Sequence, residues 1–525
     1  MSTATDKPTV RARGVVTADV AAAGTSAVPY VDLHETHTGV VVLAGDRAYK
    51  AKKPVLTDFL DFRTPEQRER ACHREVHLNS RLSPESYLGI AYLTDPVGAP
   101  PEPVVVMRRY FDKDRLAYKV SCGPDESLYQ VLDTIAAMLA RFHQRAQRSR
   151  AIDAQGQVCA VDGRFRENLI ELNRSAEKPD SGFSFEHLAR IQRLAVDFTS
   201  GRATLFTQRI TAGCIVDGHG DLLADDIFCA AGEPALLDCL EFDDKLRYLD
   251  RIDDAAFLAM DLEFLGRADF GDYFLGRYAH HSGDTAPSSL RDFYIAYRAV
   301  VRAKVDCLRV SQGNPEAAAD AARHLAIATR HLENGSVRMA LVGGNPGTGK
   351  STIARALAEK TGAQVISTDD VRRELQAVGI ITGDPGDLDA GLYCPTNVRT
   401  VYDAVLHRAR ALLANGQSVI LDGTWRNPHV RAHACRIACE TFSTFVEIRC
   451  SAKSEVAADR IVTRRQGNSD VTPAIAAALA GQYDEWETAY PLDTSGKLDH
   501  SVEQAHKVWR RAVYGPAQRN QIEKG

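Results

Sequence analysis

The run Gly344, Asn345, Pro346, Gly347, Thr348, Gly349, Lys350, Ser351 constrains this chain more than any other feature. It fills the pattern GxxxxGK[ST] completely. It follows an apolar run at 339–342 and precedes a stretch with helical spacing. Glycines in such a loop let backbone N–H groups turn inward around an anion. A helix opening at Lys350 adds the partial positive charge of its first turn. The pattern therefore requires a buried strand, a tight loop and a helix in that order. The expected ligand is a nucleoside triphosphate, ATP or GTP. Lys350 would neutralise its β and γ phosphates and the Ser351 hydroxyl would ligate Mg²⁺, with Asn345, Pro346, Thr348 and Thr352 completing the cradle.

From 337 onward apolar runs and helical stretches alternate: 339–342, 364–366, 418–421 and 444–449 as strands, with helices opening near Lys350, Asp370 and Pro428. That alternation predicts βαβ units on a parallel sheet. The break at 333–336 (ENGS) marks the main boundary. With 525 residues the chain is too long for one core, and at roughly 150 residues per unit two to four are expected. Upstream, 40–43 and 48–52 form a hairpin signal. A helix follows over 65–82 with Thr64 as its N-cap, and strands are expected at 87–93 and 103–107. The stretch to 334 then reads as mostly helical, with short apolar runs at 214–216 and 235–240 around a polar loop. The expected units are an extension over 1–30, a strand-rich lobe over 31–110, a helical lobe over 111–334 and the loop-bearing unit over 335–525.

Charge narrows the function. Lys and Arg number 64 against 69 Asp and Glu, a formal net charge of −5. Such a balance disfavours a long nucleic-acid groove or an anionic membrane as the main partner. The 11 cysteines carry no CxxC spacing and read as reduced thiols. No apolar run reaches the roughly 18 residues of a membrane helix. Arg11, Arg13 and the stretch to 28 resemble a weak signal peptide, but Asp19 interrupts it, so a cytoplasmic protein is expected.

In the C-terminal unit, Asp369 and Asp370 follow the second strand, where a carboxylate faces the phosphates across the ligand crevice. Asp369 is the candidate base for an acceptor hydroxyl and Arg372 the candidate holder of acceptor charge. Alternatively, one of the two aspartates caps the following helix. Asp422 ends the 419–422 strand and suits a contact to Mg²⁺ or acceptor, or else forms a turn. Arg460, Arg464 and Arg465 fall on one predicted helix after Ser454, either closing over the transferring phosphate or forming a solvated face. In the N-terminal units, His219, Gly220 and Asp221 sit between apolar runs, where Asp221 can orient a hydroxyl for attack. Asp226 and Asp238 offer oxygen ligands to Mg²⁺. Lys50 and Lys52 share one strand face, and Glu75 on the next helix can pair with one of them.

These C-terminal segments resemble the P-loop kinases related to phage polynucleotide 5′-kinase, with gluconate and chloramphenicol kinases on the same scaffold. The likeness covers about 337–515 and implies Asp369 as general base, Arg372 at the acceptor, and Arg464 or Arg460 as the lid arginine. Residues 35–310 resemble the aminoglycoside/choline phosphotransferase branch of the protein-kinase-like fold. The order Lys50, Glu75, hinge at 103–110 (PVVVMRRY), His219-Gly220-Asp221 and Asp238 is that family's order. It implies Asp221 as catalytic aspartate, Lys50 as the phosphate-pairing lysine and Asp238 as metal ligand. Two departures stand out. Asp226 and Leu223 replace the family's usual Asn and His, and Thr36, His37, Thr38 and Gly39 stand where a glycine-rich loop is usual. The whole chain is similar to bacterial fusions of the two domains. The expected class is thus α/β and α+β: a bilobal protein-kinase-like domain followed by a P-loop NTPase domain with a parallel sheet. The expected activity is ATP-dependent phosphotransfer to a small-molecule hydroxyl. The alternatives are a non-catalytic N-terminal half gating a P-loop kinase, and a polynucleotide 5′-hydroxyl kinase.

Overall fold

The computed structural model describes residues 30–513 except 36–37, 57–60, 95–97, 99, 124–125, 177–182, 231, 385–389 and 464–485. Of the expected extension over 1–30, residues 1–29 lie outside the described residues, as do Thr36, His37, Arg464 and Arg465.

The first layer is an antiparallel sheet of β1 (Val31–Glu35), β2 (Gly39–Ala44), β3 (Arg47–Lys52), β4 (Tyr87–Leu93) and β5 (Glu102–Arg108), ordered β1-β2-β3-β5-β4. Strand β3 lies between β2 and β5, with Lys50 opposite Val41 and Val105. Period-two alternation therefore sends Lys50 and Lys52 to the same face. The helix Pro65–Asn79 crosses that face. Thr64 opens it with a capping box: Thr64 Oγ1 accepts from the Gln67 N–H at 3.3 Å, and the Gln67 side chain accepts from the Thr64 N–H at 3.0 Å.

The second layer is helical, dominated by Ser127–Arg145, Val158–Ala176, Phe185–Gly201, Arg251–Phe264, Ser288–Ser311 and Ala317–Asn334. Phe198 stacks on Phe293 with centroids 4.6 Å apart, at the centre of an aromatic cluster with Phe165 and Phe206. Two small ribbons lie on it: β6 (Ile215–Asp217) with β9 (Tyr248–Asp250), and β7 (Ile227–Phe228) with β8 (Ala235–Leu236).

The third layer is a parallel sheet of β10 (Arg338–Gly343), β11 (Gln364–Ser367), β12 (Val419–Asp422), β13 (Thr444–Ser451) and β14 (Tyr490–Asp493). The order β11-β12-β10-β13-β14 makes β10 the place where the winding direction reverses. That is where an open parallel sheet forms its ligand crevice. Strand β14 escaped the sequence reading. It is four residues at an edge with Pro491 inside it, a residue tolerated only where one side of a strand is unpaired.

One apolar core runs without a break from the helical layer into the parallel sheet. The junction also carries polar ties. Arg202, 1 % exposed, donates to the Thr441 carbonyl at 2.5 Å, and Ser289 Oγ donates to the Gly416 carbonyl at 2.6 Å. Burial lowers the Arg202 guanidinium to about 9 against the pull of Asp197.

Candidate functional site

The phosphate loop joins β10 to the helix Lys350–Thr361. Gly344 holds φ 144°, and a Cβ there would stand 2.4 Å from the Cys450 carbonyl, so only glycine fits beside β13. The loop and the chain after β14 enclose a cleft of about 350 Å³ lined by Gly347, Gly349, Lys350, Ser351, Arg460 and Thr494. Thr494, which the sequence reading missed, ties the walls together. Its Oγ1 donates to the Thr348 carbonyl at 2.7 Å, and its own carbonyl accepts from Arg460 Nη2 at 2.8 Å. Arg460 thus faces the loop, but its helix, Ser454–Val462, ends before 464.

Asp422 closes β12 next to β10 and is 4 % exposed. Burial raises its carboxyl pKa, while the Lys350 ammonium and the Ser351 hydroxyl beside it pull it down. Among the described residues its Oδ1 has no hydrogen-bond partner. An orphaned buried carboxylate oxygen next to a phosphate-loop serine fits a divalent ion shared with nucleotide phosphates. The Asp422–Trp425 turn is held firmly. Trp425 sits at φ 52° and is 1 % exposed, with Nε1 donating to the Leu421 carbonyl and its N–H to Tyr402 Oη.

At the end of β11 the helix Thr368–Ala377 begins. The expectation that Asp369 or Asp370 caps it is corrected: Ser367 is the N-cap, its Oγ accepting from the Asp369 N–H at 3.3 Å. The strand runs one residue further than the apolar pattern indicates, which moves the cap to the serine. Asp369 is left to pair with Arg372 at 2.7 Å, and the guanidinium lies 4.5 Å over the Tyr393 ring.

In the N-terminal half, the loop His219–Asp221 is fixed from below by Asp254. Its Oδ2 accepts from the His219 N–H at 2.7 Å and its Oδ1 from the Gly220 N–H at 2.9 Å, and His143 Nε2 lies 3.0 Å from Oδ2. Gly220 needs φ 86°, and Arg298 donates to its carbonyl at 3.1 Å. The sequence reading does not single out Asp254. Asp221 is presented from the pinned loop. Burial pushes its carboxyl up to about 6 against the pull of Arg302 and Arg298, with Asp238 and Asp261 pushing the same way as burial.

Asp226 follows closely, and the Leu237 N–H donates to its carbonyl at 3.0 Å, which sets Asp238 beside it across the β7–β8 ribbon. Burial, then Asp238 and Asp221, hold the Asp226 carboxyl well above its usual range. Clustered carboxylates of this kind suit a divalent cation that also binds phosphate oxygens. Among the described residues no group of three or more His, Cys, Asp or Glu is arranged to hold a metal unaided.

Lys50 meets Glu75 Oε1 and Asp238 Oδ1, both at 2.9 Å. The sequence left open which lysine Glu75 takes, and it takes both, with Lys52 at 2.5 Å. Despite its burial, Lys50 and Lys52 bring Glu75 down to about 2. Lys52 also contacts Glu241, which the sequence reading did not single out. Burial, with Glu75 nearby, pushes Glu241 up to about 7. Among the described residues no helix is long and apolar enough to cross a membrane.

Comparison with known proteins bears on both halves. Residues 339–487 match an AAA domain. A choline/ethanolamine kinase family protein from Mesorhizobium loti aligns at 12 % identity over 57 % of this chain and 92 % of its own, with a TM-score of 0.34. A gluconokinase from Sinorhizobium meliloti 1021 aligns at 15 % identity over 36 % of this chain and 98 % of its own, with a TM-score of 0.25. An uncharacterized protein of Mycobacterium tuberculosis strain H37Rv is 65 % identical over 486 residues, covering 92 % of this chain and 96 % of that protein. The chain carries an AAA domain in its C-terminal part and belongs to the family of that mycobacterial protein.

Proposed function

We propose that the protein is an ATP-dependent phosphotransferase acting on a small-molecule hydroxyl, with a second kinase-type site in its N-terminal half. The observation that carries this reading is one crevice of the parallel sheet. Lys350 and Ser351 follow β10, Asp422 ends β12, and Asp369 with Arg372 follows β11, so phosphate, cation and acceptor groups converge on adjacent strand ends. In this reading the acceptor oxygen attacks the γ phosphorus and gives its proton to the Asp369 carboxylate. The bond from γ phosphorus to the bridging oxygen breaks, and ADP leaves with the electron pair. Loop amides, Lys350 and Arg460 stabilise the spreading negative charge. Arg372 orients the acceptor. Ser351 and Asp422 would hold a magnesium ion, which would further neutralise the phosphates.

In the N-terminal half Asp221 takes the base role, Lys50 pairs the phosphates, and Asp226 with Asp238 would hold the metal. A pKa near 6 suits Asp221 to proton transfer at neutral pH. A gating role without turnover is the second reading, favoured by Asp226, which stands where the resembled family has Asn and adds negative charge beside the nucleotide phosphates. The test is transfer of labelled γ-phosphate to a panel of sugars, nucleosides, aminoglycosides and short oligonucleotides, by the parent chain and by Lys350→Ala and Asp221→Ala separately. Loss of transfer in both variants, each on its own acceptor, supports two kinase sites. Loss only in Lys350→Ala leaves the gating reading, and unchanged transfer in Lys350→Ala sinks the proposal.

A further inference from the structure

The N-terminal cleft contains an unbroken file of five charged side chains: Asp238, Lys50, Glu75, Lys52, Glu241. Every neighbouring pair is in contact. The lysines come from β3, Glu75 from the helix Pro65–Asn79, and the two end carboxylates from the segment after β8. The file therefore stitches the strand-rich lobe to the helical lobe at two places, through Lys50–Asp238 and through Lys52–Glu241.

The two stitches differ in surroundings. At the outer one, the side chains of Lys50 and Asp238 are 20 % and 56 % exposed. At the inner one, those of Lys52 and Glu241 are 2 % and 19 % exposed. The inner stitch is roofed by Phe62, whose ring centroid is 5.6 Å from Lys52 Nζ. It is reinforced by Arg74 of the same helix, which donates to the Glu241 carbonyl at 2.7 Å and pairs with Asp244. Lys50 is thus the lysine a nucleotide can reach, and Lys52 is sealed away from it.

We propose that Lys52 and Glu241 are positioning residues: they hold Glu75 and its helix against the helical lobe after nucleotide phosphates have drawn Lys50 away from Asp238. The inference rests on the N-terminal half being a nucleotide site. Its logic is competition. Phosphate oxygens compete with Asp238 for the Lys50 ammonium and repel its carboxylate, so the outer stitch weakens on binding. Without the inner stitch Glu75 would lose its tie to the helical lobe at that moment, and Lys50 would lose the carboxylate that aims it. An enclosed ion pair is little screened by salt, so the tie persists under conditions that weaken exposed pairs.

Stability and positioning can be told apart, because removing one member of a buried pair strands the other, whereas replacing both by apolar side chains is often neutral. The experiment uses the full chain with Lys350→Ala throughout, to silence the phosphate loop, and titrates fluorescent mant-ATP with magnesium while melting each variant. Lys52→Met and Glu241→Leu should each weaken mant-ATP binding about tenfold or more, equivalent to about 1.4 kcal/mol. The double variant should recover part of the melting temperature that the single variants lose, since Glu75 then keeps only Lys50, and should still bind as weakly as they do. Parental affinity in the single variants, or affinity restored with melting temperature in the double, overturns the inference. Should the single variants fail to fold, the affinity of the double decides by the same criterion. Lys50→Ala separates this from the underlying reading. If it leaves binding intact, the N-terminal half is not the nucleotide site. If it abolishes binding while Lys52→Met does not change it, only the inner stitch is refuted.

Discussion

The two halves hold their candidate phosphate groups by opposite means. Beside β10 the work falls to backbone: a glycine loop, a helix N-terminus and one lysine, all within eight consecutive residues from Gly344 to Ser351. In the N-terminal cleft it falls to side chains from β3, a helix and the segment after β8, with Lys50 and Asp238 separated by 188 residues. A backbone cradle is preorganised once the local fold forms. A side-chain file is organised only when two lobes meet, so it can be disturbed by changes far from any ligand. The first site should therefore fail through its own residues, and the second also through the contacts that bring the lobes together.

The largest effect that would sharpen this contrast is at the loop. Lys350→Ala should lower C-terminal transfer about a thousandfold in kcat/KM, since a preorganised cation on developing phosphate charge is typically worth about 10² to 10³. Its melting temperature without nucleotide should stay close to the parent's, because among the described residues no ion pair ties Lys350 to the fold. Steady-state transfer and a thermal melt check the two halves of that statement. A fall in both would mean that the cradle is a structural element rather than a binding one. Next in size is Asp221→Asn, measured with the loop silenced. It should cost about a hundredfold in kcat/KM at neutral pH, the lower range for loss of a positioned base. Unchanged turnover would break the parallel between the two sites.

The pH dependence gives a smaller effect with a definite sign. Asp221 in the folded chain is pushed up to about 6 from 3.8. The base acts as carboxylate, so kcat/KM of the N-terminal site should fall about tenfold per pH unit below 6. Stability moves the other way. Between 3.8 and about 6 the folded state holds a proton that the unfolded state has released, so this group's contribution to stability declines as pH rises through that window. An acid limb that survives Asp221→Asn would assign it to another group.

The same contrast explains what could be read from sequence. The phosphate loop was legible because its signal is contiguous and its physical requirement is local. Lys50, Glu75 and Asp238 were legible as types in the right order, but Glu241 was not. Its partner Lys52 lies 189 residues away, and nothing near Glu241 marks it as more than one acid among Asp243 and Asp244. Asp254 was hidden for a related reason. It sits in an acidic first turn of a helix, where a carboxylate is ordinary, and only the folded contact with the His219 and Gly220 amides shows what it supports. Thr494 directly follows a four-residue edge strand whose proline argues against strand formation. The junction was illegible altogether. Arg202 looks like a surface arginine at a helix end, and its burial depends on the 441–443 turn arriving from another sheet.

The finest test of the comparison lies at the cap of the helix that carries Glu75. Thr64 was readable as an N-cap, and its hydroxyl and backbone N–H both engage Gln67. Thr64→Ala removes the acceptor for the Gln67 N–H and should cost about 1 kcal/mol. Glu75 lies near the other end of this 15-residue helix, held by Lys50 and Lys52 rather than by the cap. A fray in the first turn should therefore lower the melting temperature by a few degrees, since about 1 kcal/mol shifts a domain of about 150–250 residues by about 2–4 °C. It should change mant-ATP affinity of the loop-silenced chain by less than about twofold. If affinity instead falls as far as in Lys52→Met, the helix moves as one rigid lever and its placement is set by its first turn as much as by the charge file. In that case the distinction between a locally built and a remotely built site would narrow to the phosphate loop alone.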